Sequence, residues 1–207
     1  MDMSKSKTNE NFIHRCTSKQ VKIAAYRRSI VESGMAQEDI CEILDFFLFH
    51  APMLKNDKKT EYSALKRLKD FGWTGNAKLL ELEGKLLEAA EMEIFCILKS
   101  DTIKQTLKEM NLENQICICH PRAVMKQNCR ITVCEDETVK IGVKESRMEC
   151  LFRHIRNAFA HNDTYFFENG FVLLEDYDMD RRVSAKILFE RKTLLQWIQI
   201  VKNKAAK

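Results

Sequence analysis

The chain has 207 residues and a mass of 24.2 kDa, is 45% hydrophobic and 31% charged, and holds only 6 Gly and 2 Pro. That balance excludes a disordered, collagen-like or low-complexity chain and fits one compact domain. Basic residues outnumber acidic ones by 34 to 30, a formal +4, so bulk charge argues for solubility and not, by itself, for a nucleic-acid or membrane partner. No apolar run approaches the roughly 20 residues that span a bilayer, and the first dozen residues lack the apolar core of a signal peptide. The sequence therefore reads as soluble, unexported and cytoplasmic, with its eight cysteines as reduced, mostly buried thiols.

Residues 1–16 read as a flexible N-terminal tail and 17–207 as a single domain. Thr17 or Ser18 caps a predicted helix running to Gly34, with Val21, Ala24, Ala25 and Ile30 on its apolar face. Gln37 to His50 follows as a second, antiparallel helix with Ile40, Ile43, Leu44, Phe47 and Leu48 at helical spacing, ended by Pro52. Glu61 to Phe71 reads as a short helix stopped by Gly72. Asn76 opens the longest helical pattern, in which Leu79, Leu82, Leu86, Ala90, Ile94 and Ile97 form one stripe, the expected spine of a bundle.

From Gln115 to Val143 the period moves toward two, and Ile131-Thr132-Val133 and Val139-Lys140-Ile141 flank an acidic turn, which predicts a small hairpin. Helical spacing returns from Glu145 to about Ala160. Tyr165 to Glu168, Asn169-Gly170 and Phe171 to Glu175 give the strongest hairpin signal in the chain. Ala185 to Phe189 adds a strand, and Arg191 to Asn203 a last helix burying Leu194, Leu195, Ile198 and Val201. The expected fold class is mainly α: a helical bundle with small β-hairpin insertions.

The stretch that carries chemistry runs from Arg147 to His161. At about 100° per residue, Met148, Leu151, Phe152, Ile155, Ala158 and Phe159 fall within one arc of roughly 120°, which must face the core. The opposite side collects Arg147, Arg153, His154, Arg156, Asn157 and His161, with no acidic residue between Arg153 and His161. Arg156 and His161 differ by about 7.5 Å in rise and about 140° in direction, too far for a tight contact but suited to flanking one groove.

A phosphodiester fits such a groove, because guanidinium offers a planar fork to phosphate oxygens and imidazole exchanges a proton near neutral pH. RNA brings its own nucleophile, the 2′-hydroxyl. The protein must then supply a base, an acid for the departing 5′-oxygen, and positive charge at the phosphorus. One histidine does not easily perform both proton transfers, whereas two copies of the helix facing each other across a dimer axis supply two.

Arg156-Asn157-Ala158-Phe159-Ala160-His161 resembles the motif of the HEPN (higher eukaryotes and prokaryotes nucleotide-binding) superfamily: Arg, a polar residue, three residues, His. The wider pattern from Arg153 to Asn162, the Asn169-Gly170 hairpin and Lys192-Thr193-Leu194-Leu195-Gln196-Trp197-Ile198 is similar to the stand-alone, plasmid-type branch. The match covers roughly the last 60 to 70 residues; the earlier helices agree only in kind. The resemblance implies a HEPN-type helical bundle with its motif helix at about 145–161. It implies a homodimer that cuts RNA without metal or cofactor, often as a toxin or antiviral defence effector with an antitoxin or activating partner. By position, Arg156 would hold and polarise phosphate, His161 would transfer a proton, and Asn157 would be the usual polar second residue. Arg153, His154 and Arg147 are the candidate RNA contacts beside them, although His154 reads more readily as a residue that caps or packs at the dimer seam, and Arg153 equally as the partner of an acidic side chain. Some members of the superfamily bind RNA or nucleotides or scaffold complexes without cleaving.

Other features read more simply. Cys117, Cys119, His120, Cys129 and Cys134 invite zinc, but their spacing lacks a proper knuckle and buried thiols are the better account. Residues 18–50, with Lys19, Lys22, Arg27 and Arg28, suggest a helix-turn-helix reader, yet Ile40 to Phe49 is too apolar for a recognition helix. Tyr165, Phe166 and Phe167 are rings that stack on bases or, more commonly in a hairpin, fill the core.

Overall fold

The computed structural model of the chain describes residues 26–53, 67–99, 101–110, 112, 121–127 and 145–203. A six-stranded mixed sheet organises them, in the spatial order β1 (Tyr26–Arg27), β4 (Thr164–Phe167), β5 (Phe171–Tyr177), β6 (Val183–Glu190), β3 (Arg122–Lys126) and β2 (Phe95–Leu98). β2 and β3 run parallel and every other pair is antiparallel. The expectation of a mainly α, HEPN-type bundle with small hairpin insertions is overturned. The sheet is the frame, and the helices pack upon it.

Alternation along β5 shows why. Val172, Leu174 and Asp176 point to one face; Phe171, Leu173, Glu175 and Tyr177 point to the other. On the first face Val172 and Leu174 join Ala123, Met125, Ile187 and Phe189 in the main core. That core is completed by α1 (Gln37–Asp45, continued by a π-helical turn over Phe46–His50), α2 (Gly75–Ala89), α4 (Arg147–His161) and α5 (Lys192–Lys202). On the second face α3 (Ile103–Glu109) lays Leu107 on Val124. A sheet buried on both faces has near-continuous apolar strands, and β5 is buried from Val172 to Asp176.

Aromatic packing seats the helices. Trp197 of α5 is fully buried against Phe189 (ring centroids 4.9 Å apart) and Phe95 (5.9 Å), and its indole N–H donates to the Leu86 carbonyl at 2.8 Å. Phe47 stacks on both Phe152 and Phe159 of α4, at 6.3 and 5.8 Å, which fixes that helix in rotation.

Several predicted elements form as read: the Gln37 to His50 helix, the motif helix, the hairpin strands, the strand over Ala185 to Phe189 and the last helix. Others do not. Over its described part, the helix predicted to reach Gly34 is the edge strand β1, paired with Phe166 and Phe167, followed by a 3-10 turn over Ile30–Glu32; its earlier residues lie outside the described ones. The long stripe from Asn76 breaks after Ala89, because Glu91 adopts a left-handed φ of 51°. The Met92 N–H then reaches Leu87 O and the Glu91 N–H reaches Glu88 O, a Schellman closure. Ile97 consequently belongs to β2.

Only the end of the predicted Glu61 to Phe71 helix is described, a 3-10 turn over Leu68–Phe71 that Gly72 terminates at φ 83°. The hairpin around Ile131 to Ile141 and the cysteines at 117, 119, 129 and 134 with His120 lie outside the described residues. The Asn169-Gly170 hairpin uses a three-residue loop, with Phe167 O accepting from the Gly170 N–H and Gly170 at φ 91°.

Candidate active site

α4 is held firmly at its N-terminus. The Ser146 hydroxyl accepts from the Glu149 N–H (3.2 Å) while the Glu149 carboxylate accepts from the Ser146 N–H (3.1 Å), a reciprocal capping box. Arg67 adds two charge-assisted bonds to Glu149, at 2.5 and 2.9 Å. Burial pushes the Glu149 carboxyl up, but the bonds from Arg67 and Ser146 outweigh it and hold the group below the ordinary carboxylate range. A carboxylate depressed in the folded state stabilises the fold above its unfolded value and loses that contribution as pH falls through the folded value. Urea unfolding between about pH 7 and pH 3 should therefore show wild-type stability falling more steeply than that of Glu149→Gln. Parallel curves would mean that this cap is not titrating.

Along α4 the predicted apolar arc is borne out: Met148, Leu151, Phe152, Ile155 and Ala158 are buried and Phe159 is half-buried. The wet side is narrower than expected. Arg153 and His154 are 8% and 1% exposed, so the expectation that they face solvent is corrected. Their counter-charges come from outside the helix. Arg153 donates through Nε to Glu145 Oε1 at 2.7 Å and through Nη2 to Glu145 Oε2 at 3.2 Å. Burial opposes the guanidinium charge, yet pairing with Glu145 prevails and raises its affinity for the proton. His154 Nδ1 lies 2.6 Å from Asp176 Oδ2 on β5, and its Nε2 lies 2.9 Å from the Lys126 carbonyl at the end of β3. Cys150, buried in the same layer, has its thiol pushed up to about 12 by burial, which makes it an inert core group.

Asp176 connects this layer to the surface. Its Oδ2 also accepts from Asn157 Nδ2 at 3.2 Å, and because a carboxylate only accepts, the amide orientation of Asn157 is fixed with its oxygen outward. That oxygen accepts from Arg156 Nη1 at 3.4 Å. Arg156 and Asn157 are half-buried and His161 is exposed, so the three motif residues reach the surface at the C-terminal end of α4, while Arg153 and His154 are fixed beneath.

The helix stops directly after the motif. Asn162 takes the left-handed conformation (φ 57°), and the Asp163 N–H closes onto Ala158 O at 2.9 Å. Asn tolerates that conformation, so the turn holds without glycine. Beyond it, half-exposed Arg28 lies 3.9 Å from Asp163, 3.2 Å from the Tyr165 hydroxyl and over the Tyr165 ring. Tyr165, paired with Leu173, turns this cation–ring pair to the face of the sheet opposite α4. Phe166 and Phe167 are buried.

Arg147 is exposed but nine residues before Arg156, about 13.5 Å along the axis, and pairs with Glu83 of α2 at 3.0 Å. The structure therefore joins Arg156 to Asn157, leaves His161 exposed one turn further along α4, buries Arg153 and His154, and leaves Arg147 apart. Sequence reasoning missed Asp176, Glu145 and the Lys126 carbonyl. The available signal was positional: Asp176 lies near the end of a strong strand and Glu145 just before the helix. Among the described residues no cluster of three or more His, Cys, Asp or Glu side chains is arranged to hold a metal ion, and no helix is long and apolar enough to cross a membrane. No protein-family model, curated protein or solved structure matches the chain.

Proposed function

We propose that the chain is a metal-independent endoribonuclease that cleaves single-stranded or loop RNA by attack of the 2′-hydroxyl, through a motif resembling that of HEPN enzymes carried on a different, sheet-based frame. One observation carries this reading: Arg156, Asn157 and His161 sit at the accessible end of a doubly anchored helix, with Asn157 oriented by a buried carboxylate. In the proposed reaction the 2′-oxygen bonds to phosphorus as its proton passes to a histidine. The bond from phosphorus to the 5′-oxygen breaks, and that oxygen takes a proton from a second histidine. The products are a 2′,3′-cyclic phosphate and a 5′-hydroxyl. Arg156 stabilises the charge gathered on the non-bridging oxygens.

Burial of His154 leaves His161 as the imidazole that each copy offers at the motif end of α4. Two proton transfers therefore call for a second copy, and the composite homodimer cleft remains part of the proposal. Arg153 and His154 act in this reading as positioning residues through Asp176 and Lys126. A toxin or defence role with an antitoxin or activating partner follows from the motif resemblance alone.

Incubating the full chain with RNA in EDTA tests this directly. Cleavage that disappears in Arg156→Ala and in His161→Ala supports the enzyme. Intact RNA with retained binding identifies instead a non-catalytic RNA- or nucleotide-binding module, and sequence-specific duplex DNA binding that survives both substitutions identifies a regulator.

A further inference from the structure

Among the described residues β2 is the outermost strand of the sheet, so one side of Phe95–Leu98 carries backbone groups that none of the described strands receives. Which groups those are follows from its pairing with β3. The Leu98 carbonyl accepts from the Gln127 N–H at 2.7 Å, so Leu98 and, two residues earlier, Cys96 turn their N–H and C=O toward β3. Phe95 and Ile97 turn theirs outward. Natural edges are usually blunted by proline, by a charge within the strand or by a bulge. Phe95-Cys96-Ile97-Leu98 has no proline and no charge, and its register with β3 runs without a shift. Charges stand just outside instead, exposed Glu93 before the strand and exposed Lys99 after it.

We propose that this edge pairs with the same edge of a second copy of the chain, antiparallel, about a two-fold axis at Cys96. A two-fold axis sets the strand against itself in the antiparallel sense. Hydrogen-bonded pairs form only where an outward residue faces an outward residue, so the axis passes through a residue and not between two. An axis at Cys96 sets Phe95 opposite the partner's Ile97 and Ile97 opposite the partner's Phe95. It also sets Glu93 opposite the partner's Lys99 and Lys99 opposite the partner's Glu93, so opposite charges close both ends of the pairing. Moving the axis to Phe95 puts Glu93 against Ile97, and moving it to Ile97 puts Lys99 against Phe95, each a charge against an apolar side chain. With the axis at Cys96, that residue faces its own copy in a non-hydrogen-bonded pair, with Cα atoms about 4.5 Å apart. This surface is not the motif cleft. The motif end of α4 runs through Asp163 into β4, four strands away from β2 in the sheet, so a pair joined by β2 holds its two motif ends apart. The pairing does not depend on RNA cleavage there.

Diamide treatment of the full chain, followed by mass-spectrometric mapping of linked peptides, tests the pairing. Diamide takes two electrons and two protons from a pair of thiols, and the sulfurs join only where the Cα atoms lie about 4.4–6.8 Å apart. A Cys96–Cys96 link between two chains is expected, lost in Cys96→Ser and unchanged in Cys41→Ser, which removes an exposed thiol elsewhere. Lys99→Glu and Glu93→Lys should each lower the yield about tenfold, because each sets like charges at both ends of the pairing; thermal melting checks that both variants stay folded. An equimolar mixture of the two should restore the yield, now between unlike chains, since their charges are again opposite. Wild-type yield in Arg156→Ala and His161→Ala separates this surface from the ribonuclease reading. No Cys96–Cys96 link in the wild type, a yield indifferent to Lys99→Glu, or no recovery on mixing would overturn the proposal.

Discussion

Substituting His161 by Ala should lower RNA cleavage by about 10²–10⁴-fold, the usual scale for losing a general acid or base. The side chain is exposed at the last turn of α4 and makes no hydrogen bond or ion pair among the described residues. Stability should therefore stay within about 0.5 kcal/mol of wild type, as at other surface sites without special contacts. Arg156→Ala should give a comparable loss, about 10²–10³-fold, by removing charge stabilisation at the phosphorus. Its one described contact is the long hydrogen bond to Asn157, so the fold should again be kept. Single-turnover cleavage together with thermal melting separates the two effects. Variants that melt normally and cut at wild-type rates would remove the motif from the chemistry.

Asp176→Asn should act quite differently, losing stability and turnover together. Asp176 is 4% exposed and its Oδ2 meets His154, Asn157 and, at 3.8 Å, Arg153. Removing the charge weakens the buried hydrogen bonds from His154 and Asn157 and leaves Arg153 with Glu145 alone, a change on the scale of a hydrogen bond to a charged group, about 1.5–3 kcal/mol. It also turns the charged acceptor that orients the Asn157 amide into a single neutral carbonyl oxygen shared with His154. Glu145→Gln supplies the comparison: Glu145 pairs with Arg153 in the same buried layer but does not touch Asn157. Under conditions where both variants remain folded, kcat should fall at least tenfold in Asp176→Asn with KM little changed, and should stay near wild type in Glu145→Gln. Equal kcat losses in the two variants would mean that Asp176 only stabilises the fold.

The motif helix was legible because its information is local. An apolar arc at 3.6-residue spacing fixes which side of α4 is buried whatever it packs against, and Phe152, Ile155 and Ala158 are buried as the spacing requires. The hairpin after it was legible through alternation and a turn glycine. Arg153 and His154 were misplaced because their partners are remote: Glu145 stands eight residues before Arg153 and Asp176 stands 22 residues after His154. A charged residue beside an apolar arc reads as solvated until its counter-charge is located in space.

The sheet was underestimated for a related reason. Phe95-Cys96-Ile97-Leu98 is an apolar run too short for its period to separate strand from helix, and Ile97 also fits the stripe of α2. What ends α2 is Glu91 in a left-handed conformation, a position where glycine would have announced the break. β3, Arg122–Lys126, is likewise only five residues, bounded by Pro121, and its pairing between β2 and β6 makes it central.

End-group analysis of the RNA fragments is the most direct measurement of the central claim, because the 2′-hydroxyl mechanism leaves a chemical signature independent of the structure. The full chain incubated with a single-stranded RNA in EDTA should yield 2′,3′-cyclic phosphate (or its hydrolysis product) and 5′-hydroxyl ends, and an RNA carrying one 2′-deoxy nucleotide should resist cutting at that link. Fragments ending in 3′-hydroxyl and 5′-phosphate, or cleavage at the deoxy position, would contradict it.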